Sequence, residues 1–201
     1  METKSLSELR EKYKSCTRCS ELLNSRIQVV FGEGNSNAKV LFLGEAPGLS
    51  EAKQGVPFCG ASGKVLTELL SSVGLSREDV FITNTLLCRP ENNRNPEKVE
   101  VENCRERLDK VIEVMQPAVI VTIGNFATER ILGKKGITSL RGKVFPTFIA
   151  GREVKVVPVI HPANYLYNGR NPEIFAQMKR DFEMIADVID AKKKQKSLGE
   201  F

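Results

Sequence analysis

No apolar run in the 201 residues approaches the roughly 20 that a membrane-spanning helix needs. The opening stretch, METKSLSELREKYKSC, lacks the apolar core of a secretory signal, which predicts a cytoplasmic, intracellular protein. No internal repeat occurs, and the one biased segment is a basic tail over 192–201 carrying AKKKQK. Cysteine is odd in number, at five. That argues against a tidy disulfide framework, and intracellular residence argues against stable disulfides of any kind. Histidine occurs once, at position 161. What remains is an ordinary globular composition, 41% hydrophobic and 27% charged, long enough for one domain over 1–201 with a sizeable core. The net charge of +5 tolerates an acidic partner such as nucleic acid, without demanding one.

Four runs rich in β-branched residues predict strands at 39–44, 80–86, 118–124 and 155–160, each ending in a polar or glycine-rich loop. Helical spacing intervenes. Leu6, Leu9 and Tyr13 mark a short first helix. Val65, Leu66, Leu69, Leu70 and Val73 mark a second over 63–73. Val101, Cys104, Leu108, Val111, Ile112 and Met115 mark a third over 96–115, with Asn95-Pro96-Glu97 as its cap and proline in the first turn. Ile174, Met178, Phe182 and Ile185 mark the last, over 172–191. This alternation predicts an α/β fold, a three-layer α/β/α sandwich with a mostly parallel central sheet of about four strands. Ligands of such folds bind beyond the carboxyl ends of the strands. Here those ends carry Gly44-Glu45-Ala46-Pro47-Gly48, Thr83-Asn84, Gly124-Asn125 and His161-Pro162, which are expected to converge.

The cysteines divide unevenly. Cys16 and Cys19 sit two residues apart in a polar turn, Cys88 follows the second strand, and Cys104 lies early on the third helix. Alone, Cys104 fits a core position; the pair at 16 and 19 does not. Four thiolates without a neighbouring imidazole suit either tetrahedral zinc or a [4Fe–4S] cluster, beside a metal-free reading.

The loop GEAPGLSEAKQGVPFCG, then Thr83-Asn84 leading to Cys88-Arg89-Pro90 and Asn93-Arg94-Asn95-Pro96, then His161-Pro162, resembles the family-four uracil-DNA glycosylases. The likeness runs in the family's motif order from Cys16 to the last helix. It implies a hydrolase acting on the N-glycosyl bond of deoxyuridine in DNA, releasing uracil and leaving an abasic site for base-excision repair. It also implies a [4Fe–4S] cluster on Cys16, Cys19, Cys88 and Cys104, tying in the N-terminal helix and CxxC segment (1–25), with Cys59 left as a packed free thiol. The implied partner is uracil-containing DNA, single- or double-stranded, met by a monomer without a membrane; no motif specifies a sliding clamp or other repair partner.

The residue types suit that chemistry. A base inside a duplex must be extruded and read on its Watson–Crick edge. Uracil presents an N3–H donor beside an O4 acceptor, and the Asn84 amide offers one acceptor and one donor. Phe58 suits a stacking platform, although Pro57 would equally hold it as a core aromatic. Bond cleavage leaves negative charge on uracil O2, which His161 and the backbone N–H groups around Glu45 and Ala46 can receive. Family-one enzymes carry their catalytic Asp in a GQDPYH loop. Laid onto Gly44-Glu45-Ala46-Pro47-Gly48-Leu49, that loop puts Ala46 at the Asp and Gly48 at the Tyr that bars thymine. The water-positioning role then passes to Glu45, and Glu51 is placed to crowd the base's C5. Ala52 stands where the family usually has a second acid. After His161, Leu166 is expected to wedge into the gap left by the base and Arg170 to meet a phosphate; Tyr167 stands where the family often has Arg.

Two other readings compete. A uracil-binding relative that becomes covalently trapped on DNA uses an extra histidine, and this chain has none to offer. A nucleic-acid-binding protein that keeps the cluster as a scaffold without glycosylase activity would not need Glu45, Asn84 and His161 together.

Overall fold

The structure, a computed structural model, describes residues 5–197 and their side chains through 189. In chain order the elements are α1 (Leu6–Lys14), α2 (Ser20–Ser25), β1 (Glu33–Gly34), β2 (Val40–Gly44), α3 (Leu49–Gln54), α4 (Ala61–Ser71), β3 (Phe81–Asn84), α5 (Lys98–Met115), β4 (Val119–Ile123), α6 (Gly124–Leu132), α7 (Ile137–Leu140), β5 (Phe145–Ile149), β6 (Arg152–Val159), α8 (Ala163–Tyr167) and α9 (Pro172–Ser197). Short 3₁₀ turns at Arg77–Asp79 and Glu91–Asn93 punctuate the loops.

The sheet order is β1-β3-β2-β4-β6-β5. The inner four strands, β3, β2, β4 and β6, are parallel and correspond to the four runs read from the sequence. The expected count of about four is corrected to six, because β1 and β5 add antiparallel edges. Neither edge carries a strong signal: β1 has two residues, and β5 contains Pro146, a residue that sheets tolerate at an edge. Alternate residues of the inner strands face two separate cores. Leu41, Leu43, Ile120, Val154 and Val156 pack with α1 and α5 on one side. Val40, Phe42, Val121, Val157 and Val159 pack with α4 and α9 on the other. Layers on both faces leave the carboxyl ends of β2, β3 and β6 along one edge for chemistry.

Local details differ from expectation, and helices α2, α3, α6 and α7 lie outside the helical runs read from the sequence. Helix α5 begins after Glu97, whose backbone N–H donates to Glu100 at 2.8 Å; Pro96 stands outside the helix instead of in its first turn. Residues 163–167, expected as loop, form α8. Helix α9 continues through Ser197, so residues 192–197 of the expected tail are helical backbone, while 1–4 and 198–201 lie outside the described residues. No described helix is long and apolar enough to cross a membrane.

Candidate active site

The carboxyl ends of β2 and β3 and the turn after β6 open onto a cleft of about 510 Å³. Glu45, Ala46, Glu51, Phe58, Asn84 and His161 all line it. Gly44 stands behind: a Cβ built there would lie 2.3 Å from Asn84 Oδ1 and 2.7 Å from the Phe58 ring. The bare glycine therefore lets the amide and the aromatic approach each other across the end of β2. Phe58 is nearly buried and holds φ at +51°, a left-handed conformation uncommon outside glycine. Arg77 fastens that turn by donating to the carbonyls of Pro57 (2.7 Å) and Phe58 (3.2 Å). Gly63 allows it, since a Cβ there would strike the Phe58 carbonyl oxygen at 1.7 Å.

Asn84 is 2% exposed, and its Oδ1 has no hydrogen-bond partner. A buried acceptor left this way costs roughly 1–3 kcal/mol, a penalty that a ligand donor would remove. Its backbone is fixed: the Arg107 guanidinium donates to the carbonyls of Asn84 (2.6 Å) and Thr85 (2.8 Å), and Thr85 N–H donates to Gly44 at 2.8 Å.

His161 is half-buried beside Phe58, ring centroids 5.7 Å apart. Its Nδ1 accepts from the Ala163 N–H at 3.1 Å, so in the neutral ring the proton resides on Nε2. Burial pushes the imidazole down to about 4, against an opposing pull from Glu51. It is thus a neutral donor at physiological pH. Burial likewise raises Glu45 above the usual carboxylate range. Glu51 is nearly buried and accepts from the Gly60 N–H at 2.9 Å, with Gly48 bare where a Cβ would press Oε2 at 2.7 Å. One carboxylate oxygen is therefore committed to holding the 48–60 loop closed.

Other expected residues fall elsewhere. Asn125 does not line the cleft; its Oδ1 accepts from Gly136 and Ile137 N–H at 3.2 and 2.9 Å, fastening α7. Leu166 is half-buried against the α4–α9 core, whereas Tyr167, 88% exposed, stands on the cleft wall. Arg170 is exposed, with φ at +59°. The opposite wall holds Pro90, Asn93, Arg94 and Asn95, residues of the Cys88-Arg89-Pro90 and Asn93-Arg94-Asn95-Pro96 motifs. Arg94 there is occupied by Glu100, at 2.6 and 2.9 Å.

On the far side of β3, Cys16, Cys19, Cys88 and Cys104 line one small cavity, and Cys59 is not among them. All five cysteines are free. Arg26 donates to the Cys16 carbonyl at 2.5 Å and approaches Cys88 Sγ at 4.0 Å, and Asn103 Nδ2 lies 3.5 Å from Cys19 Sγ. Such donors to ligating sulfurs support metal centres. Burial pushes the Cys88 thiol up to about 11, so it needs a bound cation to ionise at neutral pH. Tetrahedral zinc would bring the sulfurs within about 3.8 Å of one another, given Zn–S near 2.3 Å. Among the described residues, the one group of three or more donors converging within 4.8 Å is Glu21, Glu97 and Glu100, which Arg94 already bridges.

A family model for the Uracil DNA glycosylase superfamily matches residues 31–183. A type-4 uracil-DNA glycosylase of Archaeoglobus fulgidus is 41% identical over 202 residues, spanning 98% of both chains. One from Sulfurisphaera tokodaii is 41% identical, spanning 92% of this chain and 84% of its own. One from Thermotoga maritima is 43% identical, spanning 89% and 92%.

Proposed function

The chain belongs to the uracil-DNA glycosylase superfamily, and we propose that its cleft hydrolyses the N-glycosidic bond of deoxyuridine flipped out of DNA. The observation that carries this reading is the unpartnered Oδ1 of Asn84, buried at the end of β3. Uracil N3–H satisfies it, and the amide NH₂ meets O4. Cytosine reverses both groups and leaves two buried mismatches, so it is rejected. Phe58 offers an aromatic wall for the base.

As the bond breaks, charge gathers on uracil O2, and the neutral His161 donates to it from Nε2. The backbone N–H groups near Glu45 and Ala46 assist. Glu45, with its raised affinity for a proton, orients the attacking water and steadies positive charge on the sugar. Glu51 holds the loop against C5, where thymine carries its methyl group. Tyr167 replaces Leu166 as the side chain that fills the vacated stack, since Leu166 is engaged in the core. Arg170 lies free to meet a phosphate.

Cys16, Cys19, Cys88 and Cys104 hold a [4Fe–4S] cluster in this reading. The four thiol donors gathered in one cavity and the likeness to type-4 enzymes support it, with Arg26 and Asn103 as donors beside the sulfurs. The cluster supplies a cross-link between the N-terminal segment and the β3–α5 region, and no step of the hydrolysis.

The test is incubation with a labelled oligonucleotide containing one uracil, followed by alkali. A break at the uracil alone is expected. Stable binding without a break would instead mark a cluster-containing DNA-binding protein.

A further inference from the structure

Among the described residues Arg107 is one of the largest fully buried side chains, and the hydrolysis makes no use of it. It sits on α5, three residues beyond Cys104 and on the cysteine side of the sheet. A buried guanidinium ordinarily meets a carboxylate, because an unpaired buried charge is expensive. None of the described ion pairs includes Arg107. It spends its donors on neutral oxygens at the end of β3: Thr83 Oγ1 at 3.2 Å, the Asn84 carbonyl at 2.6 Å and the Thr85 carbonyl at 2.8 Å. Its Nε–H has no protein partner. The guanidinium thus joins the helix bearing Cys104 to the base-reading turn.

We propose that Arg107 is a positioning residue for base recognition, clamping the backbone of Asn84 and Thr85 so that α5, the helix bearing Cys104, sets the aim of the Asn84 amide. The proposal rests on Asn84 reading the base. A rigid fork is required because two successive carbonyls and a hydroxyl must be gripped at once. Lysine keeps the charge and lacks the fork. Positioned groups in a site tolerate errors of only about 0.5 Å, so a relaxed turn lowers the rate without touching the DNA-binding surface.

The experiment compares iron-loaded wild type and Arg107→Lys, below their melting temperatures, for single-turnover uracil release, affinity for uracil-containing duplex and iron content. The expected result is a rate lower by about tenfold or more, with duplex affinity and iron per chain retained. Thr83→Val, which removes one of the three acceptors, should show a smaller loss of the same kind and carries the test if Arg107→Lys does not fold. Wild-type rates in the folded variant overturn the proposal, as does a rate that falls only in proportion to lost iron, which would make Arg107 a scaffold residue. A wild-type protein that releases no uracil overturns the proposed function itself.

Discussion

Replacing Gly44 by alanine is the sharpest steric test of the pocket. Gly44 is not among the residues with positive φ, so its backbone accepts alanine without strain. The added methyl is the whole perturbation. It would lie 2.3 Å from Asn84 Oδ1 and 2.7 Å from two carbons of the Phe58 ring, against ordinary contacts near 3.5 Å, so one neighbour must move by about 1 Å. Neither neighbour is free to do so. Asn84 is gripped through its carbonyl by Arg107, and Phe58 is backed by His161 and clamped by Arg77. Overpacking of this kind costs about 1–3 kcal/mol of stability. A displacement of about 1 Å at a reacting site costs on the order of 100-fold in rate. Thermal melting and single-turnover release from a uracil oligonucleotide measure the two effects separately. Gly44→Ala with wild-type rate would refute the claim that Asn84 and Phe58 meet across this glycine to form the reading pocket.

Three further outcomes are expected. The imidazole of His161 lies near 4 in the folded chain against about 6.5 unfolded; the stability it contributes is therefore full above pH 6.5 and is lost as pH falls toward 4. The excision rate should show no break near pH 6.5, and a break there that vanishes in His161→Ala would contradict a neutral donor. Protein purified without oxygen should carry about four irons per chain, and Cys88→Ser or Cys104→Ala should lose them; elemental analysis finding one zinc and no iron would overturn the cluster. Tyr167→Ala should leave the melting temperature unchanged, because the side chain is 88% exposed, yet lower excision from duplex by roughly 1–3 kcal/mol, the scale of a lost stacking contact, and from single strands far less. Leu166→Ala should show the reverse balance, losing stability first.

Periodicity exposed the four parallel strands and helices α1, α4, α5 and α9, because each buries a regular stripe against one of the two cores. It missed β1 and β5, one too short to show a period and the other interrupted by Pro146, and it missed helices α2, α3, α6, α7 and α8, the last without a buried residue. The residues lining the cleft were legible from motifs at strand ends, where glycine and proline mark backbone built for a purpose. Arg107 and Arg26 were not. Charged side chains interrupt an apolar pattern and read as solvated, and only packing shows that Arg107 is buried. Asn125 follows a central strand, but it lies in the first turn of α6 and its side-chain oxygen is spent on fastening α7. Leu166 and Tyr167 are adjacent, and only the helical turn of α8 decides which faces the core.

Asn84→Asp tests directly whether the Asn84 amide chooses the base. Aspartate has nearly the same shape, but its ionised form only accepts hydrogen bonds. It faces uracil O4 with lone pairs and can accept from cytosine N4, and a protonated form can also donate to cytosine N3. The measurement is excision from matched oligonucleotides carrying one uracil or one cytosine, in single strands and mismatches, where flipping is easiest. Uracil release is expected to fall by about tenfold or more, and any cytosine release to appear first in the unpaired substrates. Full uracil activity in Asn84→Asp would contradict it, and would make Asn84 a turn residue at the end of β3.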